Sequence, residues 1–125
     1  MQKDKVILIV EDSVSIRQQI EMSLEKKGYI TRAAGSEIGM MQAMEEYGVM
    51  TDLIIMDITL RFENGFDLIE RLKKHEKYSH IPVLILTRHS EREMVLKAKS
   101  LGIKAYLRKP FHQDDLIGKI EELIP

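Results

Sequence analysis

Residues 53–65 read LIIMDITLRFENG, and one aspartate, Asp57, stands where an apolar run stops and polar residues begin. Leu53-Ile54-Ile55-Met56 is too short for an ordinary buried helix and is rich in branched aliphatic residues, so it reads as a strand covered on both faces. A strand of that kind belongs to a parallel α/β sheet. Ligands of such sheets bind outside the carboxyl ends of the strands, which makes Asp57 a candidate reactive group. An aspartate at the same place also serves as a helix or turn cap, and this stretch alone leaves both readings open.

The flanking sequence repeats the pattern. Lys5 to Val10 (KVILIV) is a second apolar strand and also ends in acids, Glu11 and Asp12. Ser13 then caps a helix with Ile16, Ile20 and Leu24 on its inner face, stopped by Gly28. Tyr29 to Ala33 is a shorter strand, and Ser36 opens a helix to about Tyr47 with Ile38, Met41 and Met44 as its inner stripe and Gly48 as its stop. Beyond the central stretch, Phe66, Ile69 and Leu72 mark a third helix. Ile81 to Leu86 forms the fourth strand, with Pro82 at its start where a missing donor does least harm and Thr87 at its end. Ser90 to Leu101 gives a helix with Met94, Val95, Ala98 and Leu101 on one face, stopped by Gly102. Lys104 to Leu107 is the fifth strand, Lys109-Pro110 follows it, and Leu116, Ile117, Ile120, Leu123 and Ile124 have the spacing of a last helix lying on a core. Five strands alternating with five helices through short connections call for a parallel sheet with helices on both faces.

Bulk properties narrow the classes. The chain has 125 residues, 44% hydrophobic and 31% charged, enough for one domain spanning residues 1–125 and too few for two. With 19 basic against 20 acidic residues the net charge is −1, so the overall balance points to no nucleic-acid or membrane surface and any such binding would have to be local. Cysteine is absent, which excludes disulfides and thiolate chemistry. No apolar run approaches the roughly 20 residues of a spanning helix, and none resembles a cleaved leader. The expectation is a soluble cytoplasmic protein. The eight methionines are read as core packing.

The residues just past the strands converge on one edge of the sheet: Glu11 and Asp12 after the first, Asp57 after the third, Thr87 after the fourth and Lys109 after the fifth. Crowded carboxylates repel, by roughly 4 kcal/mol for unit charges about 4 Å apart at an effective dielectric near 20, so a cation must compensate. An all-oxygen ligand set suits Mg²⁺ (or Mn²⁺) better than Zn²⁺, for which His75, His80, His89 and His112 lack ligand spacing. Metal, ammonium and hydroxyl together leave a slot suited to a phosphoryl group on Asp57.

At these residues the chain resembles the receiver domain of bacterial two-component response regulators, the CheY-like family, over essentially its whole length. The family's acidic pair falls on Glu11 and Asp12, its phosphoacceptor on Asp57, its hydroxyl residue on Thr87, its lysine and following proline on Lys109-Pro110, and its aromatic switch position on Tyr106. The resemblance implies a flavodoxin-like (βα)5 sandwich of strand order 2-1-3-4-5, a Lys109-Pro110 bond that is often cis, and a metal held by Glu11, Asp12, Asp57 and the backbone carbonyl of Thr59. It further implies a sensor histidine kinase or histidine phosphotransfer protein as donor. A downstream effector, an output domain or a second copy of the chain would read a face switched by Thr87 and Tyr106, and this domain would not itself contact nucleic acid or membrane. On the residues alone, Tyr106 is equally an ordinary strand aromatic.

The chain departs from the family pattern at three places. Arg61 and Glu63 stand where a proline and a methionine are frequent, although Asn64-Gly65 keeps the turn. Arg88 occupies a position that is usually small, where it either covers the site or turns out to solvent. Thr59 replaces the second aspartate that a phosphatase of the haloacid dehalogenase type would carry. Thr59, Arg88 and His89 rim the expected pocket and are candidate modulators of phosphoryl lifetime. A flavin binder is disfavoured because EDSVS is acidic where a phosphate loop is required. A receiver fold that binds partners without being phosphorylated is the remaining alternative.

Overall fold

A computed structural model describes residues 4–61, 63–88, 92–103 and 105–125. Its strands are β1 (Val6–Val10), β2 (Ile30–Ala34), β3 (Leu53–Asp57), β4 (Val83–Thr87) and β5 (Ala105–Arg108), and its helices α1 (Val14–Lys26), α2 (Glu37–Tyr47), α3 (Gly65–Lys74), α4 (Arg92–Ser100) and α5 (Gln113–Leu123). The strands form one parallel sheet in the order β2-β1-β3-β4-β5, the expected flavodoxin-like arrangement.

Alternation along the strands divides the core in two, because successive side chains point to opposite faces. Leu8, Val10, Ile54, Met56 and Ile85 pack with Met40 and Met44 of α2, Phe66, Ile69 and Leu72 of α3, and Met94 and Ala98 of α4. Ile7, Ile9, Leu53, Ile55, Leu84 and Leu86 pack with Ile20 and Leu24 of α1 and Leu116, Ile117 and Ile120 of α5. Every residue of β3 and of β4 is buried, which explains why their sequences show apolar runs instead of an alternating pattern.

Helix ends follow local chemistry. The Ser13 hydroxyl accepts from the Ile16 amide and the Ser36 hydroxyl from the Gly39 amide, so both expected caps are in place. Gly28 (φ 90°) and Gly102 (φ 76°) take the left-handed conformation that ends α1 and α4. Gly48 works differently: its φ is −55°, the chain continues into a short 3₁₀ turn, Gly48–Met50, and the Tyr78 ring lies where a Cβ would project.

One expectation about packing fails. Ile38, assigned to the inner stripe of α2, is 73% exposed, whereas Met40 is completely buried and Met41 only partly so. The helix is rotated relative to that reading because Met40 and Met44, four apart, supply the seam that meets β1 and α3. The expected starts of the fourth helix at Ser90 and of the fifth strand at Lys104 lie outside the described residues.

Candidate functional site

Parallel pairing brings the strand ends together. Val10 pairs with Met56, Asp57 with Leu86 and Thr87 with Arg108, so Glu11, Asp57, Thr87 and Lys109 emerge at one edge. The Lys109 amide donates to the Thr87 carbonyl at 2.7 Å, which carries the β4–β5 ladder one residue past the strands. Lys109-Pro110 is cis, as the resemblance implied.

The Lys109 side chain, 10% exposed, reaches inward: its Nζ lies 3.2 and 3.3 Å from the Glu11 carboxylate oxygens and 3.3 Å from Asp57 Oδ2. The other Asp57 oxygen, Oδ1, accepts from the Thr59 amide at 3.0 Å and the Thr59 hydroxyl at 3.3 Å. Asp57 is therefore held on both sides, by an ammonium and by its own following turn. The Asp12 carboxylate accepts from the Arg61 amide. A proline at position 61 has no N–H and could not make this bond, so the departure from the family pattern creates a contact.

Burial and charge set the electrostatics. Glu11 is 1% exposed, and its carboxyl is pushed from 4.5 up to about 7, mainly by desolvation, further by a hydrogen bond and repulsion from Asp57, against the lowering influence of Lys109. Oxygens of Glu11, Asp12 and Asp57 all lie within 4.8 Å of one another. Three hard oxygen donors at that spacing fit a small divalent cation such as Mg²⁺.

These groups line a cleft of about 400 Å³ with Ser13, Ile16, Thr59, Arg61, Arg88 and Lys109 on its walls. Arg88 is exposed and, with Ile16 and Lys109, also lines an adjoining groove of about 440 Å³ under Pro110 and Phe111. Thr59 is exposed at the cleft mouth. Thr87 is completely buried at the end of β4 and is not among the wall residues, and Tyr106 on β5 is 38% exposed. The expectation for His89 lies outside the described residues.

Three supporting residues do more than the sequence indicated, which gave Asn64-Gly65 only a turn and Arg17 no role. Arg17 donates from Nη1 to the Glu11 carbonyl at 2.8 Å. Asn64 caps α3 by accepting from the Phe66 amide at 2.8 Å, a role its place before a helix could have suggested. Gly65 is required by close approach: a Cβ there would lie 2.5 Å from the Asp57 carbonyl oxygen and 2.7 Å from the Ile58 Cα.

Comparison with known proteins follows the same outline. A family model described as the response regulator receiver domain matches residues 7–121. The chemotaxis protein CheY of Pseudomonas aeruginosa is 29% identical over 117 residues, 94% of either chain. The phosphate regulon transcriptional regulatory protein PhoB of the same organism is 30% identical over 124 residues, 96% of this chain but 52% of that one. The chain likewise spans about half the length of other curated relatives, including the probable transcriptional regulators ycf29 of Pyropia yezoensis and Porphyra purpurea. Among solved structures, the chemotaxis protein CheY4 of Vibrio cholerae is similar with a TM-score of 0.91 at 25% identity, covering 98% of this chain and 100% of that one.

Proposed function

Because this chain belongs to the response regulator receiver domain family, matching its model over residues 7–121, we propose that Asp57 is a phosphoacceptor that takes a phosphoryl group from a phosphohistidine. The observation that carries the proposal is the placement of Asp57 at the end of β3, between the carboxylates of Glu11 and Asp12 and the ammonium of Lys109. In the transfer an Asp57 carboxylate oxygen attacks phosphorus, the new O–P bond forms as the N–P bond breaks, and the imidazole of the donor leaves. The donor is a sensor histidine kinase or a histidine phosphotransfer protein.

Glu11, Asp12, Asp57 and the Thr59 carbonyl are the residues that would hold Mg²⁺, which when bound supplies positive charge to offset the phosphoryl oxygens. Lys109, already 3.3 Å from Asp57 Oδ2, pairs with a phosphoryl oxygen, and the Thr87 hydroxyl donates to another. The domain acts as a signalling phosphoacceptor that accelerates its own labelling and hydrolysis, and it works as one unit over residues 1–125. Movement of buried Thr87 toward the phosphoryl group opens space for the Tyr106 ring, which changes the surface of α4, β5 and α5 that an effector, an output domain or a second copy reads. Among the described residues no helix is long and apolar enough to cross a membrane.

Incubation with a small acyl-phosphate donor and Mg²⁺, followed by peptide mass spectrometry, tests the reading. Phosphate is expected on the Asp57 peptide and not on Asp57→Asn. An unlabelled wild type, beside a receiver that does label, would favour a binding module that works without phosphorylation.

A further inference from the structure

The loop after Asp57 is fastened at two points, by Arg61 and Glu63, which stand where the family pattern often has a proline and a methionine. At one end the Arg61 amide donates to the Asp12 carboxylate. At the other, both carboxylate oxygens of half-buried Glu63 accept from the Glu37 amide, at 2.9 and 3.1 Å. Glu37 is the first residue of α2, and Ser36 satisfies a different donor, the Gly39 amide, at 3.1 Å. The first turn of α2 is thus capped twice, once from its own sequence and once from a loop 26 residues away. The Glu37 side chain turns away to an ion pair with Arg71 of α3, so the backbone bond to Glu63 and the side-chain bond to Arg71 are separate contacts.

We propose that Glu63 is a positioning residue that uses the N-terminus of α2 as a fixed post. By anchoring the loop there, it holds the Arg61 amide against Asp12 and so orients that carboxylate for Mg²⁺. A methionine, frequent at this position in the family pattern, offers the Glu37 amide only a weak thioether acceptor in place of a carboxylate, and a proline at position 61 has no N–H for Asp12. The two departures work as a pair: one supplies the anchor, the other the donor that the anchor sets in place. Partners that orient a ligating side chain typically change metal affinity by 10–100-fold when removed, which sets the size of the effect. The consequence for metal binding rests on the proposed function; the tether itself does not.

The test compares Glu63→Ala, Glu63→Gln and Arg71→Ala with the wild type, by calorimetric titration with Mg²⁺ and by hydrogen exchange of the Glu37 and Arg61 amides. In Glu63→Ala, Mg²⁺ affinity falls about tenfold and both amides exchange faster. Glu63→Gln keeps an oxygen for the Glu37 amide and returns affinity to within about threefold of wild type. Arg71→Ala leaves Mg²⁺ affinity unchanged, since among the described residues its ion pair is with the Glu37 side chain and not with Glu63 or Asp12. Equal losses in Glu63→Ala and Glu63→Gln would show charge acting through space and overturn the tether. So would unchanged Arg61 exchange in Glu63→Ala. A wild type that binds no Mg²⁺ overturns the metal reading instead, and the exchange of the Arg61 amide then still decides whether Glu63 holds the loop.

Discussion

At Gly65 two opposed effects can be ranked by size. Alanine in place of glycine within a helix gains about 0.5–1 kcal/mol, because glycine loses more backbone freedom on folding. Here the added Cβ would meet the Asp57 carbonyl oxygen at 2.5 Å, and backbone cannot swing aside as a side chain can. Strain of this kind typically costs about 1–3 kcal/mol, so Gly65→Ala is expected to be destabilising by urea denaturation and to slow acyl-phosphate labelling through displacement of Asp57. Arg88 poses a different question, access. It is exposed and lines both the cleft and the adjoining groove, so Arg88→Ala is expected to shorten the phosphoryl lifetime severalfold by admitting water. Timed loss of phosphate measures it, and the same assay on Thr59→Ala and His89→Ala ranks the three. Glu11 supplies a pH dependence. Its carboxyl stands at about 7 in the folded protein against 4.5 when free, so between those values the native state binds more protons than the unfolded chain. Stability therefore falls as pH rises through that window and levels off above it, by at most about 3 kcal/mol. Metal-free thermal melts between about pH 5 and 8 should show this slope in the wild type and a flatter one in Glu11→Gln.

The elements differ in how openly the sequence displays them. β1, β3 and β4 were legible because strands covered on both faces need apolar residues at every position, and α5 because its buried residues recur at helical spacing. The convergence of Glu11, Asp12, Asp57 and Lys109 was legible for the same reason, since each follows a recognisable strand. α2 was not. Its apolar residues Ile38, Met40, Met41 and Met44 spread over roughly 160° of the helix at about 100° per residue, wider than the seam that is buried, so spacing alone does not fix which part of that stripe meets the sheet; tertiary packing chose Met40 and Met44. Met40→Ala should therefore cost about 2–5 kcal/mol in denaturant melts, whereas Ile38→Gln should stay within about 0.5 kcal/mol of wild type. Equal costs would restore Ile38 to the core. The contacts of Arg61 with Asp12 and of Glu63 with Glu37 were beyond reach for another reason: they join residues 49 and 26 positions apart through backbone amides, which leave no trace in the sequence pattern.

For the molecule as a whole, the sheet's carboxyl edge gathers three carboxylates against one lysine, with two hydrophobic layers below to hold them there. Such a site lowers the stability of the metal-free fold, and sites of this kind are commonly retained because function needs them. A cation that binds only the native state restores stability by mass action, by about 2.7 kcal/mol at a hundred times its dissociation constant. Mg²⁺ is therefore expected to raise the melting temperature of the wild type at about pH 8, where Glu11 is ionised, and to lose most of this effect near pH 5.5, where a proton occupies Glu11 and must be displaced. Asp12→Ala removes one of the proposed ligands without changing the core and should show little rise at either pH, while chelation should return the wild type to its metal-free value. The comparison is made by differential scanning calorimetry, with K⁺ at matched ionic strength as the control for simple screening. A rise of equal size in Asp12→Ala, or one that K⁺ reproduces, would mean that the three carboxylates do not act together as a metal site.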